Sequence, residues 1–308
     1  MALDPQAQRL LDAAQGLAPV ETLSVEEARA RFIEAFRSRG EPESVWKVED
    51  RVIQTPDGEV PIRLYTPRDG APLPVLAYFH GGGGVVGNLD THDALCRMLA
   101  NAADCIVAAV DYRLAPEHKY PAGLNDCFAT TRWLVDQAAT FRGDPCRIAV
   151  GGDSAGASLA AGLALVARER GGPDIVAQLL FYPMMDHFDP PKPSHQENGS
   201  GYFLTLSGMR WFLDHYLPHD FDRTDPYLFP LQCKDLRYLP PAVILTAEYD
   251  PLRDDGKCFA EQLLQAGVPV YYKCVEGMMH GFTVMHNRLN RAKSAIKEAA
   301  FHMKALLQ

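Results

Sequence analysis

Ser154 sits in the stretch Gly152-Asp153-Ser154-Ala155-Gly156, the spacing that lifts a serine onto a sharp turn between a strand and a helix. A serine hydroxyl is too weakly acidic to attack a carbonyl carbon at neutral pH unless a base takes its proton, and histidine suits that role. Of the ten histidines, His280 has the most favourable address, in the glycine-flanked loop Glu276-Gly277-Met278-Met279-His280-Gly281-Phe282 after the last expected strand. A carboxylate must orient the imidazole. Asp250, just past the end of the preceding expected strand, ranks first, Asp254 second and Glu248 third; Asp254 and Asp255 are expected to cap the helix that follows, and Glu248 to belong still to the strand. The chemistry that these residue types share is acyl transfer through a serine nucleophile.

A fourth element completes such a site. His80-Gly81-Gly82-Gly83-Gly84 follows a short apolar run, and bare glycine amides beside a serine turn can bind a developing oxyanion. Gly82, Gly83 and Ala155 are the expected donors. Two other readings compete. Ser154 alone could be the N-cap of the helix behind it. Gly82, Gly84 and Gly87 also satisfy the dinucleotide-binding spacing, with Asp104 or Asp111 as the ribose acid. That motif opens a helix directly on its glycines, whereas Val85-Val86-Gly87-Asn88 postpones any helix here until about Thr91. His302 is expected in a terminal helix, and His92, His118, His195 and His219 as solvated or capping residues.

The elements that must hold these residues are legible in the hydrophobic pattern. From Pro74 onward, short runs rich in Val, Ile and Ala (75–79, 105–110, 148–150, 175–182, 243–247 and 268–275) alternate with helical stretches (95–101, 125–140, 155–170, 257–265 and 291–307). Such runs are strands buried on both faces of a mostly parallel sheet. Ahead of them, 45–55 and 60–65 flank Pro56-Asp57-Gly58 as a hairpin. Outside this rhythm lie two N-terminal helices, 5–16 and 25–39, the second starting after Ser24, carrying Ala28, Phe32 and Phe36 and closing at Gly40. The proline-rich stretch 184–216, with a helix at 207–216, also stands apart. Both are expected over the carboxyl edge of the sheet, where ligands bind in open α/β folds.

Composition narrows the function. The 308 residues fit one large α/β domain, with no apolar run long enough to span a bilayer and no basic flank leading into an apolar block at the start. Integral membrane association is therefore not expected, and a cytoplasmic setting is. A formal charge of −9 without a basic block offers nucleic acid no counterion release. Seven scattered cysteines form no Cys-x-x-Cys or His/Cys cluster and read as reduced, mostly buried packing residues. Neither a metal nor a cofactor is expected.

Beyond these local readings, the chain resembles the bacterial hormone-sensitive-lipase-like esterases, family IV of the lipolytic α/β-hydrolases. The resemblance rests on His80-Gly81-Gly82-Gly83, Asp111-Tyr112-Arg113-Leu114-Ala115-Pro116-Glu117, the Ser154 stretch, Asp250-Pro251-Leu252-Arg253-Asp254 and His280-Gly281-Phe282, in that order. It covers the chain from about residue 45 to the end. It implies an α/β-hydrolase fold with a mostly parallel central sheet, helices on both faces and a helical cap made of about 1–44 and about 184–217. It implies Ser154, Asp250 and His280 as a catalytic triad, Gly82, Gly83 and Ala155 as the oxyanion hole, and small-molecule esters of short to medium acyl chain as substrates, hydrolysed through an acyl-enzyme. An amidase of the same fold and a non-catalytic ligand-binding receptor are the alternatives, and a homodimer is carried as the assembly. One departure stands out: the family usually has an aromatic residue after His-Gly-Gly-Gly, and Gly84 here is expected to remove bulk near the site.

Overall fold

A computed structural model describes residues 2–37 and 41–308. The expected hairpin forms from β1 (Lys47–Thr55) and β2 (Gly58–Thr66). The six apolar runs become β3 (Leu73–Phe79), β4 (Ile106–Val110), β5 (Gly143–Asp153), β6 (Ala177–Phe181), β7 (Ala242–Tyr249) and β8 (Val270–Met279). They join in one eight-stranded sheet of order β1-β2-β4-β3-β5-β6-β7-β8. β2 runs antiparallel to both β1 and β4, and all pairings from β4 through β3 to β8 are parallel.

Helices cover both faces. On one side lie α4 (Ala122–Asp136), α5 (Ala155–Arg170) and α8 (Arg253–Gln265); on the other lie α1 (Pro5–Ala14), α3 (Leu89–Ala103) and α9 (Asn290–Leu306). The two-residue period of a strand divides its side chains between these cores. In β3, Val75, Ala77 and Phe79 enter the first, and Leu76 and Tyr78 the second. Helix α5 is buried from Gly156 to Ala167 without a polar face, as its run of Ala and Leu requires of a helix enclosed by neighbours. The helix expected from 25 to 39 is α2 (Val25–Phe36), opened by a capping box in which Ser24 and Glu27 exchange hydrogen bonds of 2.9 and 3.2 Å. Its expected closure at Gly40 lies outside the described residues. The stretch after β6 holds a short helix absent from the pattern, α6 (Pro193–Asn198), before α7 (Leu206–Tyr216).

Some local expectations fail. Helix α3 opens at Leu89 rather than near Thr91, because Asn88 and Thr91 cap it reciprocally at 3.0 Å. Cys96, Cys105 and Cys127 are buried, but Cys146 is exposed and Cys233, Cys258 and Cys274 are only half-buried.

The parallel run decides where the site is. Strands β3, β5, β7 and β8 all end at the same edge, so the loops leaving Phe79, Asp153, Tyr249 and Met279 converge there. Above that edge, Val25 and Ala28 of α2 and Trp211 of α7 pack on Val85, Val86 and Ala115 in a separate apolar cluster. Arg29 of α2 pins this roof down. Its guanidinium forks onto Glu117 at 2.7 and 2.8 Å and donates to the carbonyls of Val85 and Ala115, both at 2.9 Å.

Candidate active site

At the β5–α5 junction the chain reverses over one residue, and Ser154 takes φ 53° and ψ −123°, a conformation that a side chain tolerates only where the surroundings enforce it. Two glycines make it affordable sterically. A Cβ at Gly152 would stand 2.3 Å from the Phe79 carbonyl oxygen, and one at Gly156 would stand 1.9 Å from it. The Ser154 N–H donates to the carbonyl of Phe181 at 2.8 Å, tying the turn to β6. The residue is therefore an elbow between strand and helix: it stands at the N-cap position of α5, but its side chain makes no capping hydrogen bond.

The predicted base and acid meet it. His280 Nε2 lies 3.0 Å from Ser154 Oγ, and His280 Nδ1 lies 2.8 Å from Asp250 Oδ2. Asp250 is fully buried, and its other oxygen accepts the Leu252 N–H at 2.8 Å, which fixes the carboxylate plane. The Tyr182 ring packs against the imidazole with centroids 4.6 Å apart, and its hydroxyl bonds Thr283, three residues beyond His280.

The competing carboxylates are engaged elsewhere. Glu248 lies within β7 as expected, one residue before its end, and accepts the Gly277 N–H at 2.7 Å. Asp254 and Asp255 do not cap α8, whose N-cap is Leu252. They hold down the segment after β6 instead. Asp254 accepts the Ser194 N–H at 2.9 Å, while the Ser194 hydroxyl donates to the Pro251 carbonyl at 2.6 Å. Asp255 accepts from the amides of Met185 and Asp186 and pairs with Lys192 at 2.9 Å; burial nevertheless pushes its carboxyl up to about 6.

The glycine run is folded for close approach. Gly82, Gly83 and Gly84 all have positive φ, and the Gly82 carbonyl accepts the N–H groups of Val85 and Val86 at 3.0 Å each. Among the described residues, neither the Gly82 nor the Gly83 amide has a backbone acceptor, and Ala155 as the first residue of α5 has no intrahelical one. All three line one cavity with Ser154 and His280. The fold around Gly82-Gly84-Gly87 removes the dinucleotide reading, since this run turns into an apolar loop and the helix begins only at Leu89.

Asp153 is the residue that local pattern missed. Fully enclosed, it accepts the Tyr78 hydroxyl at 2.9 Å and the Gly81 N–H at 3.0 Å, and lies 3.2 Å from His92 Nε2. Burial pushes its carboxyl up, but the His92 imidazole and the Tyr78 hydroxyl outweigh that and hold it below its ordinary value. One carboxylate thus ties the serine elbow to the glycine loop. His92 is accordingly buried, not solvated, and His195 is buried as well, accepting the Lys192 N–H at 3.0 Å; His118 and His219 are exposed and His302 lies in α9.

Gly84 does not leave the gap expected of it. A Cβ there would stand 2.5 Å from the ring of Tyr216, so α7 fills the space that a side chain at position 84 would take. The cavity is mostly apolar, lined by Leu159, Phe32, Phe203 and Val284 and by Met184, Leu213, Tyr216 and Leu228, the last four sharing one apolar cluster.

A sheet of this order, carrying a serine elbow, a glycine loop and a histidine–carboxylate pair at its carboxyl edge, defines an α/β-hydrolase. A family model described as alpha/beta hydrolase fold matches residues 76–284, and the chain belongs to that family. It is 44% identical to the carboxylesterase NlhH of Mycobacterium tuberculosis, over 91% of this chain and 88% of that one. It is 39% identical to an ethyl acetate hydrolase of Pseudomonas putida, covering 90% of this chain and 89% of the relative. A hyperthermophilic esterase from the archaeon Pyrobaculum calidifontis superposes with a TM-score of 0.94 at 37% identity, covering 99% of both chains. Among the described residues, no helix is long and apolar enough to cross a membrane.

Proposed function

We propose that this protein is a serine carboxylesterase that hydrolyses small-molecule esters of short to medium acyl chain through an acyl-enzyme. The observation that carries this reading is the unbroken chain of contacts from Ser154 Oγ to His280 Nε2 at 3.0 Å and from His280 Nδ1 to Asp250 at 2.8 Å. His280 Nε2 takes the hydroxyl proton as Ser154 Oγ attacks the ester carbonyl, and Asp250 stabilises the imidazolium. The amides of Gly82, Gly83 and Ala155 receive the negative charge on the carbonyl oxygen, each such donor being worth about 2.7 to 4 kcal/mol in the transition state. Collapse of the tetrahedral adduct expels the alkoxide, which leaves with the proton from His280. Water, deprotonated by the same nitrogen, attacks the acyl-enzyme; the acid departs and Ser154 regains its proton.

The cap in this reading is made of α2 with its flanks and of the segment 184–217. Phe32 from the former and Met209, Phe212 and Tyr216 from the latter close over Ser154, which supports that division. The relatives named for ester hydrolysis favour an esterase over an amidase, and the complete set of contacting side chains disfavours a receptor. The test is turnover of p-nitrophenyl acetate together with labelling by an aryl organophosphate. Hydrolysis, with the phosphoryl adduct mapped to Ser154, is the expected result; absence of both turnover and adduct overturns the proposal.

A further inference from the structure

The glycine loop and helix α7 interlock in a way that acyl transfer does not require. A Cβ at Gly83 would stand 2.4 Å from the Phe212 ring, and one at Gly84 would stand 2.5 Å from the Tyr216 ring. Phe212 and Tyr216 are four residues apart, so one face of α7 presents both rings to two consecutive bare positions. The Tyr216 ring is held there from behind. It meets Tyr120 edge-on with centroids 6.1 Å apart, and the Tyr216 carbonyl accepts the Tyr120 N–H at 3.0 Å. It also packs on both the cluster under α2 and the cluster formed by Leu213, Leu217, Leu228 and Phe229.

The lining of the cavity is not uniform in depth. Phe203 is 44% exposed and stands at the mouth, against Phe36, whereas Leu159, Leu213 and Leu228 are each no more than 5% exposed. Tyr216 clusters with Leu213 and Leu228, the inner arm of the lining. An ester with its carbonyl at the glycine loop, against which the Tyr216 ring packs, lies beside this inner arm.

Resting on the esterase reading, we infer that Tyr216 is the specificity-determining residue of the inner arm: its ring, occupying the space that Gly84 vacates, sets the length of the ester substituent lodged there. Apolar pockets discriminate by about 10- to 200-fold per methylene accommodated or refused. The ring, not the hydroxyl, is the gauge, since no residue described accepts from or donates to the phenol oxygen.

The experiment compares kcat/KM over two series with wild type, Tyr216→Ala, Tyr216→Leu and Tyr216→Phe: p-nitrophenyl esters of acyl length two to twelve, and acetates of alcohols of the same lengths. Expected is a shift of the long-to-short ratio toward longer chains by about tenfold or more, in one series only, for Tyr216→Ala, with a smaller shift for Tyr216→Leu and the wild-type ratio for Tyr216→Phe. The series that responds identifies the substituent held in the inner arm. An unmoved ratio in both series for the Ala and Leu variants overturns the inference, as does a Tyr216→Phe shift equal to that of Tyr216→Ala. Should Tyr216→Ala fail to fold, Tyr216→Leu carries the comparison. Loss of all turnover in the wild type would refute the esterase reading instead, so the two failures are separate.

Discussion

Gly156 and Phe79 touch through their backbones: the α-carbon of the first turn of α5 faces the last carbonyl of β3 so closely that an added methyl carbon would lie 1.9 Å from its oxygen. The serine elbow and the glycine loop therefore share a wall with no slack. Gly156→Ala must displace one or the other. The expected cost is about 3 kcal/mol, the upper end for overpacking, read as a lower urea midpoint, together with a fall in kcat as the loop amides move.

The choice among carboxylates yields a sharper test. Asp250 alone reaches His280, whereas Asp254 is spent on Ser194 and Arg253. Asp250→Asn should lower kcat by about 10⁴-fold with KM little changed, because the amide stabilises the wrong tautomer. Asp254→Asn loses one hydrogen bond in the loop and should cost less than about tenfold. The reverse ranking in steady-state kinetics would hand the triad position to Asp254.

Arg29 gives the N-terminal roof its anchorage, with four hydrogen bonds to Glu117, Val85 and Ala115. The pair with Glu117 is partly solvated, so Arg29→Met should release about 1 to 2 kcal/mol, mainly from the two carbonyl contacts. Chymotryptic cleavage at Phe32 or Phe36 should then quicken roughly tenfold, while the midpoint for global unfolding barely moves. Equal cleavage rates in the two proteins would show that the roof does not depend on this residue.

Acid stability turns on His80. Its Nδ1 donates to the Gly81 carbonyl at 2.8 Å and its ring stacks on Tyr112, but its buried Nε2 has no hydrogen-bond partner among the described residues, and burial lowers its pKa to about 4. An imidazole kept neutral in the fold, and free to protonate near 6.5 when unfolded, leaves the unfolded state holding more protons between those values. Stability contributed by its neutrality is thus complete above pH 6.5 and falls as the pH drops from 6.5 toward 4, by about 3 kcal/mol over that window. Urea denaturation at pH 7 and pH 4.5 should show a smaller loss for His80→Asn than for the wild type.

Much of this arrangement is legible in the order of residues, and the reasons are local. Helix α5 follows from a glycine-bounded serine and a stretch rich in Ala and Leu, and the edge loops follow from apolar runs that stop one to five residues before His80, Ser154, Asp250 and His280. What escapes the pattern depends on partners distant in the chain. His92 reads as a polar residue in a first helical turn until β5 brings Asp153 beneath it. Asp254 and Asp255 look like helix caps because their actual partners, Ser194, Met185 and Lys192, lie some sixty to seventy residues earlier. Gly84 reads as missing bulk, since nothing near it announces that Tyr216 will supply the bulk from another helix.

The consecutive positive-φ glycines carry an evolutionary consequence. With Phe212 and Tyr216 seated on them, bulk at position 83 or 84 and bulk on α7 compete for the same space, so a side chain enters the loop only with a change or displacement at residue 212 or 216.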